Sequence, residues 1–406
     1  MNFNKELRIL KSEPLLFITL PISFFVLLIL KILSPIILIR FGLLHSDRIG
    51  HFLINTELFF CEQLIKRKKK NSLDIFYFPT EPCNYQFSKM LRRKILILPK
   101  IIIRPFCLIS RKLDFFSCHV TGQPSNGDYD VKNLLDKIKT QVKFTKDEIK
   151  FGEKQLNKIG IKKNQKIICI AVRDSLYLKK KFPRSKFDYH NHRNEDINNF
   201  ILSIKYLIKK KYFVIRMGSI TKNKVKYSNT NFLDYSQSKF KSDFMDLFIS
   251  SKSDLFISNN TGVDAFGILF RKPVLHVGSI PIGAISTYSN KIFNTILNHY
   301  SLTLKRNLNL SEIFEKNLHL GWTNDFFVKK KIRLVKFKPI EILKFTKETI
   351  KIINNKDLFL ENKYEKKFKK IYSKNIKKNP ETKYFHGKIK SHFLSSFLSS
   401  NKNFLK

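Results

Sequence analysis

Three short segments carry residues able to hold a diphosphate. The first is Val172-Arg173-Asp174-Ser175, directly after the apolar run KIICIAV. An arginine leaving a strand end can clamp a diphosphate through two parallel, charge-assisted hydrogen bonds. Asp174 can pair with that arginine, bind a sugar hydroxyl or serve as a base; a plain surface ion pair is the alternative. The second is Ser258-Asn259-Asn260-Thr261-Gly262, a strand-to-helix turn in which amide groups and a hydroxyl beside a helix start make an anion site. Asn260, Thr261 and Gly262 are its candidate contacts. The third is Arg216-Met217-Gly218, where Arg216 adds positive charge or contacts a base or ribose, or is simply solvated at a strand tip. Near the N-terminus, the turn from His45 to His51 offers Asp47 and His51 as groups that can deprotonate a hydroxyl, although a histidine at a helix start is more often structural.

These segments need strands to present them, and the apolar pattern supplies strands. From Lys166 the chain reads KIICIAV, YFVIRMG, DLFIS and PVLHVG as strands. Helices stand between them, one begun at Asn194 with Glu195 and Asp196 in its first turn and one begun at Ser242 and Asp243. Ile197, Phe200, Ile201, Ile204, Leu207 and Ile208 follow the spacing of one buried helix face. From Pro35 to Gly122 the order is again strand, helix, strand, helix, strand, with PIILIR, LDIFYF and KILIL as strands. Such alternation implies parallel sheets covered on both faces, with ligands at the carboxyl ends of the strands. The expected fold class is α/β, two Rossmann-like doubly wound domains facing a cleft. The expected boundaries are an apolar anchor at 1–33, a first domain at 34–155, a second at 156–355 and a basic tail at 356–406, the tail being a membrane-surface segment or a partly disordered end.

The chain has 406 residues, enough for two buried cores, and a formal charge of +45 from 77 Lys and Arg against 32 Asp and Glu. Part of this excess fits a Lys-, Asn-, Ile- and Phe-rich compositional bias; in either case the surface attracts anionic headgroups and phosphorylated ligands. Nucleic acid is not an expected partner, because the aromatics fall at core-like spacing instead of forming a strip with the basic residues. The five cysteines are odd in number and hold no C-x-x-C pair, which fits a reducing compartment; Cys169 reads as a small core residue. Neither a metal nor a cofactor is expected. Asp128-Tyr129-Asp130 precedes a helix instead of ending a strand, and His190 and His192 have no third ligand nearby.

Leu15 to Leu30 is almost unbroken apolar text behind Lys5, Arg8 and Lys11. It is short for a span of about 20 residues and lacks a small-x-small cleavage site. An uncleaved anchor or a membrane-embedded hairpin is expected, the alternative being a buried helix of a soluble protein.

RIGH at Arg48–His51, VRDSLYL at Val172–Leu178, YHNHRNEDINNFILSIKYL at Tyr189–Leu207, VIRMG at Val214–Gly218 and SKFKSDFMDLFI at Ser238–Ile249 resemble a family of bacterial glycosyltransferases of GT-B type. That family is associated with surface-polysaccharide and lipopolysaccharide gene neighbourhoods. More distantly, a strand ending in Arg with Asp close behind resembles the fucosyltransferases, whose usual paired arginine is missing here, and Asn260 departs from the Thr-Ser-Gly such families often show. The resemblance implies a nucleotide-sugar donor, with Arg173 as the diphosphate clamp and Asn260, Thr261 and Gly262 as a second phosphate contact. A lipid-linked or glycan acceptor would be met by the Asp47–His51 turn, and no metal is needed where Arg173 and the Thr261 turn neutralise the leaving diphosphate; the free cysteines and the need for a cytosolic sugar nucleotide place the expected site at the cytoplasmic face of the inner membrane. The different-class alternative is a non-catalytic basic protein at the membrane surface that binds anionic glycans or nucleic acid.

Overall fold

The computed structural model describes residues 14–65, 71–122, 124, 127, 129–181, 188–355, 362–378 and 386–406. Lys5, Arg8, Lys11 and Asp128 lie outside the described residues, as does part of the basic tail. The chain divides into two compact units, residues 1–128 with 141–143, and residues 129–140 with 144–406. The junction therefore falls near Tyr129, earlier than the expected break at 155–156, because the capped helix Lys146–Ile159 packs within the second unit: Gly152 lies against the Phe248 ring, leaving no room for a Cβ.

The first unit holds α1 (Leu16–Leu33), β1 (Leu38–Leu43), α2 (Ile49–Ile65), β2 (Ser72–Tyr77), α3 (Tyr85–Arg92), β3 (Leu96–Ile97), α4 (Lys100–Lys112) and β4 (Val120–Thr121). Its four strands run parallel in the order β3-β2-β1-β4. Strand side chains alternate between faces, and this alternation sorts the core. Ile39, Phe41, Ile75 and Tyr77 pack with Leu27 of α1 and Ile103 and Cys107 of α4. Phe76 turns to the other face, its ring 5.7 Å from that of Phe59 in α2, while Phe52 of α2 meets Phe87 of α3 at 4.8 Å. Gly42 lets β1 and β4 close up, since a Cβ there would sit 2.8 Å from the Thr121 carbonyl oxygen.

The second unit is built on a seven-stranded, all-parallel sheet in the order β14-β10-β9-β8-β5-β6-β7. Its strands are β5 (Ile167–Ala171), β6 (Phe213–Met217), β7 (Phe232–Asp234), β8 (Leu255–Ser258), β9 (Val274–Ser279), β10 (Ile292–Ile296) and β14 (His392–Phe393). A small antiparallel sheet of β11 (Asn298–Ser301), β12 (Arg306–Asn307) and β13 (Ile332–Val335) lies beside it in sequence. Every residue of β5, β6 and β8 is buried, which explains their largely apolar sequences, Arg216 in β6 being the one charge among them. The covering helices are α5 (Lys146–Ile159), α6 (Ile201–Lys209), α7 (Asp243–Lys252), α8 (Pro339–Asn354) and α9 (Lys363–Lys378). The helix expected to begin at Asn194 is capped by Asp196, which accepts from the Asn198 N–H, and passes through a 3-10 turn before α6. Ser242 caps α7 as its sequence implies.

The described part of the tail is structured, not loose. Phe368 and Tyr372 of α9, and Phe393, Phe397, Leu398, Phe404 and Leu405 beyond it, are buried in the same core as Ile168 and Val214. The reason is aromatic content: among so many lysines, these rings gain more by leaving water than the segment loses in chain entropy.

Candidate functional site

The topology of the second unit marks one place on the sheet. From β5 the chain steps outward through β6 to β7, then returns to place β8 on the opposite side of β5 and continues through β9 to β10. The switch point therefore lies between β5 and β8, and the crevice beyond the carboxyl ends of such strands is where open α/β sheets take ligands. Two of the three sequence segments meet there, Val172–Ser175 after β5 and Asn259–Gly262 after β8.

One carboxamide ties them together. Asn259, 8% exposed, accepts the Arg173 backbone N–H at 2.7 Å on its Oδ1 and donates from Nδ2 to the Arg193 carbonyl at 2.8 Å. The Arg173 carbonyl accepts the Glu195 N–H at 3.0 Å, so residues 193–195 are laced to the β5 tip. Arg193 then reaches over β8, its guanidinium donating to the Asn260 carbonyl at 2.5 Å. Asn260 stands at φ 61°, a left-handed conformation that asparagine tolerates better than most residues. Burial pushes the Arg193 pKa down while the Asp264 charge pulls it back up, and a guanidinium remains charged under both influences. The site thus has two arginines whose backbones are anchored to one side chain. The second, Arg193, was missed in the sequence, where it closes the segment YHNHR.

The turn after β8 differs from its expectation as an amide-rich cradle. The Thr261 N–H donates to Ser258 Oγ at 3.2 Å, the Val263 N–H to Thr261 Oγ1 at 2.9 Å, and the Asp264 N–H to the Thr261 carbonyl at 3.2 Å. These donors are spent inside the turn, and the helix that follows, Ala265–Leu269, is too short to sum much of a dipole. Gly262 is exposed. Beneath the turn, Asp264 receives the Ser258 hydroxyl at 3.1 Å and stands 3.2 Å from His276 Nε2, a buried polar cluster that fixes the loop from below.

Arg216 and Asp174 also take structural duties. The Arg216 side chain is 2% exposed and donates to Asp234 Oδ2 at 2.9 Å and to the Asn223 carbonyl at 2.8 Å, so its charge is committed to β7 and the loop after β6 instead of reaching outward. Both Asp174 oxygens accept backbone N–H groups, from Leu176 at 2.9 Å and from Lys222 at 3.0 Å. Gly218 follows β6 at φ 154°, where a Cβ would come within 2.8 Å of Thr221 Cγ2. Together Arg216, Gly218 and Asp174 draw the 219–223 loop over the β6 tip.

A cavity of about 20 Å³ lies beside the network, lined by Arg193, Asn259, Gly278, Lys336 and Phe337 among others. It has room for a water, not for a nucleotide. A larger cavity of about 530 Å³, lined by Asn298, Arg306, Asn401 and Phe404 among others, shares no residue with the switch-point network.

In the first unit, β1 is followed by β2 and β3 on one side and paired with β4 on the other, so its own switch point lies at the end of β1. Asp47 and His51 follow it, both half-buried, with His51 in the first turn of α2 and its ring 6.4 Å from that of His45. Ser46 anchors this turn through its hydroxyl to the Thr80 carbonyl at 2.7 Å and its carbonyl to the Cys83 N–H at 2.8 Å. Of the acidic pair set aside as a metal motif, Asp130 caps a short helix, accepting from Leu134 and Leu135 at 2.7 and 2.8 Å.

No family model matches the chain, and no curated protein matches it in sequence. Among solved structures, it is similar to the ADP-heptose lipopolysaccharide heptosyltransferase II of E. coli, at 11% identity and a TM-score of 0.37 over 64% of this chain and 90% of that one. A glycosyl transferase of family 9 from Veillonella parvula gives 11% identity and a TM-score of 0.37 over 60% of this chain and 81% of that one. A protein assigned as a UDP-N-acetylglucosamine 2-epimerase from Listeria monocytogenes gives 8% and 0.34 over 80% and 90%. Likenesses this distant carry no weight for chemistry, which has to rest on the residues of this chain.

Proposed function

We propose that the protein is a glycosyltransferase that moves a sugar from a nucleoside-diphosphate donor to a lipid-linked or polysaccharide acceptor at the cytoplasmic face of a membrane. The observation that carries the reading is that Asn259 ties the backbones of two arginines, Arg173 and Arg193, together at the switch point between β5 and β8. In sugar transfer the bond from the anomeric carbon to the diphosphate oxygen breaks, and its electron pair leaves with the diphosphate. A new bond forms to the acceptor oxygen, whose proton passes to a base. Charge therefore grows on the leaving phosphate, and fixed cations aimed at it lower the barrier, commonly by several kcal/mol. On this reading the two arginines do that without a metal, and the donor lies over the strand ends because the neighbouring cavity admits only a water. Asp47 and His51 are the proposed acceptor-side groups. Asp174, with both oxygens engaged by backbone amides, is assigned to holding the Arg173 loop, and Arg216 to holding the β6 tip.

The test is product formation. The full chain is incubated with UDP-, GDP-, ADP- and CMP-activated sugars and a lipid acceptor extract, and products are read by mass. One donor should yield a product heavier than the acceptor by one glycosyl residue, with R173A and R193A inactive yet folded. Wild-type turnover in both variants would remove the donor-site assignment, and transfer of phosphate instead of sugar would place the scaffold in a different reaction class.

A further inference from the structure

The outer surface of the first unit carries a feature that sugar transfer does not use. Helix α1 is apolar apart from Thr19, Ser23 and Lys31 and, by length and composition, able to cross a bilayer, yet one side of it is built into the protein. Leu27 packs with Ile103 and Cys107 of α4, Leu20, Leu28 and Leu30 join the same cluster, and the Phe24 ring meets Phe116 at 5.7 Å. The opposite side opens outward. Ile18, Ile22, Phe25, Ile29, Ile32 and Ile36 recur at alternating steps of four and three residues, and each is between 57% and 78% exposed. Ile101 and Ile102 at the start of α4 and Phe115 just beyond it are also exposed apolar groups, at 47%, 51% and 60%. A contiguous apolar face of this size marks an interaction surface.

We infer that this face lies in the plane of an anionic bilayer, with α1 immersed along its length and not threaded across. Charge selects the occupant. Lys31, Lys100, Arg104, Arg111 and Lys112 belong to α1 and α4 themselves, Asp114 is the one acidic residue between Lys100 and Cys118, and before α1 in the chain Lys5, Arg8 and Lys11 outnumber Glu6 and Glu13. Basic residues around an apolar face match anionic headgroups, whereas a second copy of the chain on the same face would bring like charges together. Packing selects the orientation. From Leu20 to Leu30, about 15 Å of helix, α1 is joined to α4, and α4 in turn covers β1 and β2. A spanning α1 would drag α4, with cations at its start, middle and end, into hydrocarbon, which is strongly unfavourable. In the plane, the outward residues enter roughly 5–10 Å while those cations stay at headgroup level. The inference does not depend on the transferase reading.

The experiment uses the full chain with vesicles of phosphatidylcholine alone or mixed with phosphatidylglycerol. Flotation should require the anionic lipid and weaken with salt, and the triple variant Ile22→Glu, Phe25→Glu, Ile29→Glu should lose at least tenfold in binding while keeping its circular dichroism. In Phe25→Trp, lipids brominated near the carbonyl region should quench the new fluorescence best. Best quenching by bromines at the chain ends would show a spanning helix and overturn the in-plane placement. Undiminished flotation of the triple variant would overturn the surface itself, as would a lipid-free dimer that the triple variant abolishes.

Discussion

Arg193 reaches the switch point through tertiary structure alone. It closes one 3-10 segment, Asp188–Arg193, shortly before another begins at Ile197, and neither helical nor strand periodicity passes through it. Arg173 was legible because an apolar strand points straight at it. The two should nonetheless matter alike. A charged hydrogen bond to phosphate is worth about 1.5–3 kcal/mol, so R173A and R193A should each weaken nucleoside-diphosphate binding by roughly 10–100-fold. Asp174→Asn should do less, because an amide oxygen can still accept one of its two backbone N–H groups. Titration calorimetry on the three variants reads this ranking. A different residue offers a test of the packing. Burial lifts the Asp246 carboxyl to about 7, beside the buried Tyr235 and near the negative charge of Asp243. A raised carboxylate costs the folded state stability above the unfolded value, so the penalty grows from about pH 4 and is complete above pH 7. Asp246→Asn should therefore be more stable than wild type at pH 8, by roughly 2–4 kcal/mol in urea unfolding, with the gain shrinking toward pH 4.

At the scale of elements, what the sequence revealed depended on length and burial. β5, β6, β8 and β9 are runs of four to six residues without a charge inside them, Arg216 excepted, and each was readable. β7 has three residues and β14 two, too few for any alternation to register, and without β7 the ion pair between Arg216 and Asp234 could not be foreseen. In the turn after β8, the Thr261 and Val263 amides look available in a sequence, and the fold shows them donating to Ser258 and Thr261 instead. Gly42 shows how tightly the elements fit. A methyl at this position meets backbone that cannot rotate away, so Gly42→Ala should cost about 1–3 kcal/mol by separating β1 from β4, measured as a lower urea midpoint with the slope unchanged.

For the whole molecule, the sharpest difference concerns the C-terminal residues. A lysine-rich end suggested looseness, yet its rings close the core of the second unit. Phe397, fully buried against Phe345 and Phe404, should behave as a core residue, and Phe397→Ala should cost about 3–5 kcal/mol. Removal of residues 356–406 should leave a second unit that keeps its far-ultraviolet dichroism but loses near-ultraviolet signal, the mark of lost packing. A truncated chain with native near-ultraviolet dichroism would return those residues to the status of a tail. The α/β class and the parallel character of both sheets followed from alternating apolar runs, whereas the membership of the tail depended on contacts between residues hundreds of positions apart, which no local pattern encodes.

If cations at the β5–β8 switch point hold a diphosphate, a bound nucleotide must stabilise the fold through them. The most direct measurement is the thermal unfolding of the full chain with saturating UDP, GDP, ADP, CMP or inorganic pyrophosphate. A ligand at 100 times its Kd stabilises by about 2.7 kcal/mol, so one nucleotide should raise the transition by several degrees, and R173A and R193A, with affinity down roughly 10–100-fold, should each cut the rise to about half or less. A flat response to every nucleotide, or an equal rise in both variants, would contradict it.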